Sequence, residues 1–599
     1  MENYYYISSS LSITSVLVPR PTAWMVAYNN EQEQEPEQPL IALIEGYCGA
    51  SDRPPTLMVG SDSISPKVLA GLRKNKVCTL SVATERDIRA AKYMAAAAGG
   101  GGGGNDCGRA MTFDEAGLCP CHPPLSILDD LPVEDYPSST STAETNNDEY
   151  YFKRPPAVDS SPVQMHCRLA MEVPLLSDDD SSSTMILLQI DTYVIKGNIL
   201  RSQSTLYPGK SSIQGNPDVR SITAKIDCLL LRPLASLGNG RFGRVDTIYH
   251  MGRPRPRSVV ATTKMKKREL SRSQRLINSC KPTIAAAVEN AALPLDETTC
   301  NNLDWQCNSM WEIDDLVPSC SIPTKYDNTN NFEEGDGQSI SYTYRKDDIC
   351  PLGYNPMKQV VCPRFIGWIS TYEPASLLST ENSAGGQPIA HISPYSFCID
   401  VARGHRPMVA FAACPRSDEF ANSGDSDSDS EQHDAKNDVS NGWKDAQRDA
   451  ELTGVFCVNL VSEEMAWAMN ASAAPLGKGL SEFQLMNGGK QKDRRPGGST
   501  RIIPTPLSAP HIRAPYVAES PLFLECKYLK TVKIPDIKEN DSMYSLIIGE
   551  IVNIHARKDV IVKHTTDGRE ILDIDIKKVQ PVSRLGYGQE YTVVTTEIS

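Results

Sequence analysis

The sequence has no apolar run that approaches the roughly 20 residues a membrane-spanning helix requires. Its most apolar low-complexity stretch, residues 95–104, contains four alanines and six glycines, which are too small to form such a helix. The first residues, Met1–Tyr4, lack a basic region followed by an apolar core, so we predict no secretory signal. These absences predict a cytoplasmic protein that makes no contact with membranes.

An excess of positive charge is also missing. Lys and Arg number 60 against 74 Asp and Glu, which gives a formal net charge of -14 at pH 7. General binding to nucleic acid requires a basic surface that displaces counterions from phosphate groups. We therefore expect no nucleic-acid partner. One local basic run, residues 253–268, is interpreted as the solvated face of a linker, with contact to RNA or an acidic partner as the alternative.

The 17 cysteines do not form the two paired Cys-x-x-Cys knuckles of a zinc ribbon. The densest group, Cys119, Cys121 and His122 near Cys107, does not have that spacing either. An odd number of cysteines in a chain without an export signal predicts reduced thiols. We accordingly predict no metal site.

What the sequence does contain is a long internal repeat. The first matching segments share Pro-Arg-x-x-x-Trp, which ends at Trp24 in one copy and at Trp368 in the other. Four segments match in the same order, namely 18–26 with 361–370, 72–82 with 451–460, 154–162 with 513–521, and 232–238 with 580–586. This collinearity predicts two copies of one domain, at residues 5–250 and 346–595.

Three segments interrupt this pattern. The first copy contains a polyglycine and acidic insertion at about 95–150, and the second an Asp/Ser-rich acidic insertion at about 416–443. The copies are joined by a polar, partly basic linker at 251–345. Surface loops tolerate such insertions because closure entropy grows only logarithmically with loop length. We predict that all three segments are disordered.

The remaining sequence is mainly β. Apolar, β-branched runs between turn residues predict strands at 367–372, 408–413, 455–460, 522–532 and 544–555. Short helices are predicted at 445–451 and 463–470. Many strands and few helices indicate an antiparallel barrel or a sandwich, and periodicity alone does not choose between them.

The second copy carries a series of motifs in order. They include Asn-Pro-Met-Lys-Gln-Val-Val-Cys-Pro-Arg-Phe-Ile-Gly-Trp at 355–368, His-Ile-Ser-Pro-Tyr-Ser-Phe-Cys at 391–398 and Lys-Asp-Ala-Gln-Arg-Asp at 444–449. Further blocks lie at 459–466, 469–475, 519–526 and 548–552. Together they resemble the flavin reductase-like FMN-binding split-barrel family.

This resemblance implies a six-stranded Greek-key barrel with short added helices and FMN near a subunit interface. Members of the family usually form homodimers. A tandem chain is able to build the same pair within one molecule, so an intramolecular domain pair and a homodimer are both open.

The resemblance also implies the residues of an FMN site. Lys444 would bind the phosphate and Asp445 would lie at the cap or first turn of a helix. Trp368 would either cover one side of the flavin or belong to the core. The full predicted set is Trp368, Ser393, Pro394, Tyr395, Ser396, Phe397, Lys444, Asp445 and Asn470.

The sequence departs from the family at several of these positions. Ala446 replaces the threonine that follows Lys-Asp, so one phosphate-facing hydroxyl is missing. In the first copy the Pro-Tyr-Ser-Phe motif is replaced by Glu-Gly-Tyr-Cys-Gly-Ala at 45–50, and the Lys-Asp-Thr position has Pro66-Lys67-Val68. We interpret the first copy as a structural half that mimics a dimer partner.

Two functions follow from these features. The first is a flavin reductase-type oxidoreductase that takes hydride from NADH or NADPH and passes it to free flavin or a small acceptor. It needs no catalytic side chain, because the flavin carries the hydride. The second is a non-catalytic pseudo-enzyme that acts as a flavin-binding sensor or interaction scaffold.

Overall fold

The computed structural model describes a large part of the chain. The described residues are 4–7, 13–29, 38–99, 110–121, 154–176, 183–202, 224–251, 324–325, 340–343, 352, 355–374, 388–414, 444–474, 476, 480–487, 502–534, 544–566, 569–586 and 590–598. The acidic insertion predicted at 416–443 and most of the segments predicted at 95–150 and 251–345 lie outside them.

Two large antiparallel sheets dominate the fold. Seven strands of the first half (residues 13–251), named β1 to β7, are Arg20–Asn29, Gln38–Glu45, Cys48–Asp52, Pro55–Gly60, Val77–Val82, Val163–Pro174 and Thr184–Ile195. Seven strands of the second half (residues 352–598), named β8 to β14, are Gly367–Glu373, Ile389–Tyr395, Cys398–Ala402, Met408–Ala413, Val455–Asn459, Leu522–Ile534 and Tyr544–Arg557.

The two sheets have the same order of strands. The first runs β2-β1-β5-β6-β7-β4-β3 and the second runs β9-β8-β12-β13-β14-β11-β10, with every neighbouring pair antiparallel. The strands predicted in the second copy all form, with ends displaced by two residues or fewer. The mainly β class is therefore confirmed.

The remaining strands and helices complete the fold. The remaining strands are Tyr4–Ile7, Pro120–Cys121, Ala157–Val158, Leu200–Ser202, Ala224–Ile226, Leu234–Gly238, Arg241–Arg244, Thr247–His250, Thr324–Lys325, Ile340–Thr343, Arg364–Phe365, Pro506–Ser508, Pro515–Val517, Ile561–Thr566, Arg569–Ile574, Val582–Arg584 and Glu590–Val593. The helices are Ile13–Val16, Pro66–Asn75, Ile88–Gly99, Phe113–Ala116, Cys228–Leu231, Met357–Val360, Asp445–Thr453, Ala466–Ala471, Glu482–Asn487 and Ile576–Val579. No helix in these ranges is long and apolar enough to span a bilayer.

Two helices occupy equivalent places, each leading into the third strand from the edge of its sheet. Helix α1, Pro66–Asn75, precedes β5, and helix α2, Asp445–Thr453, precedes β12. Pro66 presets the backbone angle at the start of α1. Gly454 ends α2 in the left-handed region at φ 73, where a residue without Cβ is preferred.

Alternation along the strands decides which side chains enter the core. Leu522, Leu524 and Cys526 of β13 belong to the apolar core of the second half. Phe523 and Glu525 therefore lie on the opposite face of the strand, since successive side chains alternate. Phe523 accordingly packs in a separate outer cluster with Tyr516.

The halves meet at an interface that we call the seam, formed around Arg20, Gly49, Asp52, Phe397 and Asp400. Arg20 of β1 and Asp400 of β10 are buried and pair at 3.4 Å across it. A Cβ added to Gly49 would lie 2.6 Å from the ring of Phe397, so only glycine allows this approach. Asp52 pairs with Lys358 at 2.5 Å. The largest apolar cluster contains residues of both halves, so the seam is part of one core.

Parts of the segments predicted to be disordered are ordered. Within the first insertion, Phe113–Ala116 is helical, and the backbones of Ile41 and Met111 exchange hydrogen bonds of 2.8 and 3.0 Å. Phe113 and Met111 are buried in a cluster with Trp24. Near the end of the linker, Ile340–Thr343 adds a strand to β7. Met111 and Phe113 order because their apolar side chains pack against Trp24 and its neighbours.

Candidate functional site

The predicted motif at 393–397 lies at the end of β9 and in the turn that follows. Ser393 and Pro394 are half-buried and face Ile369 and Trp368 on the neighbouring strand β8. Tyr395 is the last residue of β9 and is 5% exposed. The antiparallel pairing of β8 and β9 thus brings this motif beside the Gly-Trp segment of the preceding motif.

Tyr395 combines a buried ring with a hydroxyl group that has no partner. Its ring lies 4.9 Å from that of Phe411, and the Nζ atom of Lys444 is 5.6 Å from its centre. The Tyr395 hydroxyl is buried and accepts or donates no hydrogen bond among the described residues. Burial, followed by nearby anionic groups, raises the pKa of Tyr395 well above its usual value. The hydroxyl is therefore a neutral, buried donor without a partner among the described residues.

Lys444 and Asp445 begin helix α2. Lys444 occupies the N-cap position with extended backbone, and its side chain does not cap the helix. The unpaired N–H groups and positive dipole end of a helix favour an anion at this place. Asp445 lies in the first turn of α2 and forms a salt bridge of 3.1 Å with Arg448.

A buried network of charges, which the sequence analysis missed, lies next to this helix start. The guanidinium of Arg448 is 3.2 Å from Glu373 and 2.8 Å from Asp449. The imidazole of His391 lies 3.7 Å from Glu373 and 3.4 Å from Glu482. Strand β8, strand β9 and helix α2 each supply members, together with the helix Glu482–Asn487.

The pKa values of two members of this network, Asp449 and His391, are raised in the folded protein. Burial raises the pKa of Asp449 to about 6, although His391 and Arg448 oppose the shift. Burial would lower the pKa of His391, but the nearby carboxylates of Glu373 and Glu482 outweigh it and the pKa is raised well above its usual value. His391 is therefore a cation at neutral pH, balanced by carboxylates.

Two of the predicted site residues lie in the core beneath the motif. Trp368 is fully buried, and its Nε1 atom donates a hydrogen bond of 2.8 Å to Ser472. The side-chain oxygen of Asn470 accepts a hydrogen bond of 3.3 Å from the hydroxyl of Tyr591. The structure thus places Trp368 in the core, which was the second of the two alternatives.

Ser396 and Phe397 belong to the seam. The backbone oxygen of Ser396 is 3.5 Å from the Sγ atom of Cys48 in the first half. The ring of Phe397 packs on Gly49, and the cations of Lys358 and Arg364 lie 5.8 and 5.7 Å from its centre. The motif at 393–397 therefore runs from the helix start into the contact between the halves.

The first half has different chemistry at the equivalent positions. Ser65 precedes helix α1 where Lys444 precedes α2, and Lys67 is exposed. Tyr47 is fully buried within the segment 45–50 that replaces the Pro-Tyr-Ser-Phe motif. The described residues of this half contain no lysine at a helix start beside a buried tyrosine.

Comparison with known families gave no matching family model. The chain is 25% identical over 239 residues to an uncharacterized protein of Deinococcus radiodurans, a match that covers 40% of this chain and 79% of the relative. It is 23% identical over 233 residues to an uncharacterized protein of Aquifex aeolicus, covering 39% and 86%. Both matches have about the length predicted for a single copy.

Several solved structures are similar to part of the chain. Nitrilotriacetate monooxygenase component B from Bacillus cereus is 18% identical, with 41% of this chain and 88% of that chain covered and a TM-score of 0.27. Flavoredoxin of Desulfovibrio vulgaris is 16% identical, with 40% and 90% covered and a TM-score of 0.25. A putative flavin reductase with a split-barrel domain from Shewanella frigidimarina is 16% identical, with 39% and 84% covered and a TM-score of 0.25.

Proposed function

We propose that this protein is an FMN-binding flavoprotein of the flavin reductase type. Its two halves are copies of one split-barrel domain that pair within a single chain, and the second half carries the flavin site. The identical strand order of the two sheets and the buried pair Arg20–Asp400 across the seam support the pairing. A two-fold partner is the usual arrangement for such interfaces.

The observation that carries the flavin proposal is the buried, unpartnered hydroxyl of Tyr395 beside Lys444 at the start of helix α2. A buried polar group without a partner costs free energy, so a ligand that supplies one is favoured. Lys444 would hold the FMN phosphate by a charge-assisted hydrogen bond. Half-buried Ser393 lies near the same strand end and would contact the ring edge.

The protein's own residues bind, orient and shield in this proposal. FMN supplies the hydride transfer when it is bound, with NADH or NADPH as donor and free flavin or a small molecule as acceptor. Tyr395 orients the bound group through its hydroxyl. Phe397, packed against Gly49 of the other half, keeps water from that side of the motif. No side chain is required as a nucleophile.

One feature favours the non-catalytic alternative, a sensor or scaffold. Asp445, Asp449, Glu373 and Glu482 surround the helix start, while Arg448 and His391 are already paired with them. An excess of negative charge near a phosphate dianion disfavours its binding. Ala446, which is 2% exposed, stands where the family has threonine. No hydroxyl at this position is therefore present to bind the phosphate.

An absorbance spectrum of the full-length protein, reconstituted with FMN and freed of excess by gel filtration, tests the proposal. We expect flavin bands at one equivalent per chain that bleach anaerobically on addition of NADH or NADPH. Bands that persist with both donors would establish the sensor or scaffold instead. A protein that retains no FMN would overturn the flavin assignment altogether.

A further inference from the structure

A second group of chemically active side chains lies on the outer face of the second sheet. Glu525 comes from β13, His555 from β14, and His511 from the loop between the short strands Pro506–Ser508 and Pro515–Val517. The Nε2 atom of His555 is 2.9 Å from the Oε1 atom of Glu525, and the Nδ1 atom of His511 is 3.3 Å from the same oxygen. One carboxylate oxygen thus lies between two imidazoles.

The sheet and a stack of rings hold this group in place. Glu525 and Phe523 share the outer face of β13, and Phe523 pairs in register with His555. The ring of Phe523 stacks on that of His555 with centres 4.4 Å apart, and Tyr516 stacks on Phe523 at 4.0 Å. Because each ring is fixed by the next, the imidazole of His555 is oriented before any ligand binds.

Asn553 orients the carboxylate. Its Nδ2 atom donates a hydrogen bond of 3.1 Å to the Oε2 atom of Glu525, which leaves Oε1 to the two histidines. Hydrogen-bonded partners of this kind commonly fix the ligating carboxylate in metal sites. The side chain of Glu525 is 0% exposed and that of His555 is 2% exposed, whereas His511 is 47% exposed. Two members of the group are therefore buried, and the third, His511, is open to solvent.

The distances suit a metal ion. Zn²⁺ binds imidazole nitrogen and carboxylate oxygen at about 2.0–2.2 Å, which places tetrahedral donors about 3.3 Å apart. The two distances to Oε1 are 2.9 and 3.3 Å, and the three donor atoms lie within 4.8 Å of one another. Two histidines and one glutamate are a ligand set of open, three-ligand zinc sites.

We propose that His511, Glu525 and His555 bind a divalent transition-metal ion such as Zn²⁺. The exposed side of His511 gives the ion its route of entry and leaves a fourth position for water.

The other described group with suitable donors is a poorer candidate. His391, Asp445 and Glu482 also bring three donor atoms together. There, however, Arg448 already pairs with Asp445 and lies close to Glu373, so a divalent cation would add to an existing positive charge. No arginine or lysine is paired with Glu525 among the contacts described for it.

Metal titration of the full-length protein tests the site, after treatment with a chelator and its removal. We expect calorimetry to give one tight Zn²⁺ equivalent, and Co²⁺ to give the visible bands of tetrahedral coordination. His511→Ala should weaken Zn²⁺ binding more than about 100-fold, beyond the range of outer-shell changes, and Asn553→Ala about tenfold. His511 is half-exposed on a loop, so this variant is expected to fold.

His405→Ala is the matched control, because His405 is an exposed loop histidine of the same half. Its Zn²⁺ affinity should equal that of the wild type. Equal affinity for wild type and His511→Ala would overturn the proposal, as would a wild type that gives no tight equivalent. The measurement uses no flavin, so its outcome is independent of the proposed flavin site.

Discussion

The two halves share a strand order but differ in the polar groups that their equivalent positions carry. Glu525 of the second half lies where the repeat places His166 in the first, and the partner of His166 in register is Thr192. His166 is buried, lies 3.1 Å from Thr79, and has a pKa lowered by burial to about 3, so it is neutral. The position that carries a charged glutamate in the second half carries a neutral histidine in the first.

The helices α1 and α2 show the same contrast. Counted back from their ends at Lys76 and Gly454, Gly71 of α1 corresponds to Asp449 of α2. Gly71 lets α1 approach β1, while Asp449 accepts a hydrogen bond of 2.9 Å from Thr371 on β8. The alternating apolar pattern of the strands is enough to preserve the same sheet in both halves. A binding site depends on a few polar residues, and these differ between the halves.

The largest effect is expected from Asp400→Ala, which tests whether the buried ion pair stabilises the contact between the halves. Asp400 pairs with Arg20 at 3.4 Å, and the side chain of Arg20 is 1% exposed. Removal of the carboxylate leaves this guanidinium buried without its nearest counter-charge, at a cost of about 3–5 kcal/mol. Urea unfolding measures the loss.

Asp559→Ala is the control for this variant. Asp559 pairs with Arg557 at 3.1 Å but is 62% exposed, so its removal should change stability far less. A loss in Asp400→Ala no larger than in the control would show that the seam does not depend on its buried ion pair.

A smaller effect is expected from the buried charged network around Asp449 in the second half. Burial raises the pKa of Asp449 to about 6, and an unfolded aspartate has a pKa of about 3.9. The folded state holds this proton more tightly, so the stabilisation is complete below about pH 4 and is lost as the pH rises through about 6. Asp449→Asn removes this dependence.

Urea unfolding of wild type and Asp449→Asn across this range measures the difference. Relative to the variant, the free energy of unfolding of the wild type should fall by about 2–3 kcal/mol between about pH 4 and pH 7. Asp559→Asn serves as the control, because its carboxylate is mostly exposed. A constant difference in unfolding free energy at every pH would contradict the raised pKa of Asp449.

Gly71→Ala probes the close helix contact of the first half. A Cβ at this position would lie 2.2 Å from the backbone oxygen of Tyr28, which cannot move aside as a side chain can. We expect a loss of about 1–3 kcal/mol in thermal or urea unfolding. Ala70→Gly, on the exposed face of the same helix, should cost no more than about 1 kcal/mol. A stabilised Gly71→Ala protein would refute the contact.

The smallest effect is expected on ligand affinity. Lys444→Met removes the charge at the start of α2, and we expect about tenfold weaker FMN binding, or about 1.4 kcal/mol. Lys67→Met changes the exposed lysine near the start of α1 and should leave the affinity unchanged. Fluorescence titration with FMN compares the two. Equal weakening in both variants would place the flavin elsewhere.

The strands could be predicted because their evidence is local. Met408–Ala413 forms as predicted, and Leu522–Ile534 extends the predicted strand by two residues, since apolar alternation continues to its end. The charged network could not be predicted in this way. Glu373, His391 and Arg448 are far apart in the sequence and meet only after β8, β9 and α2 have assembled.

The same limit applies to the histidines of the outer face. The spacing of the cysteines gives no sign of His511 and His555, because Glu525, which contacts both, belongs to a different strand. The register of β13 against β14 brings them together. A signal was nevertheless present in the sequence, since Glu525 interrupts an apolar strand between Leu524 and Cys526.

The contact between Phe397 and Gly49 has a consequence for how this molecule can evolve. In a dimer of identical chains, every substitution appears on both sides of the interface at once. Here the large ring and the glycine that accommodates it are encoded separately, so each can mutate without altering its counterpart. Since both belong to one chain, dilution does not separate them, and their pairing is independent of protein concentration.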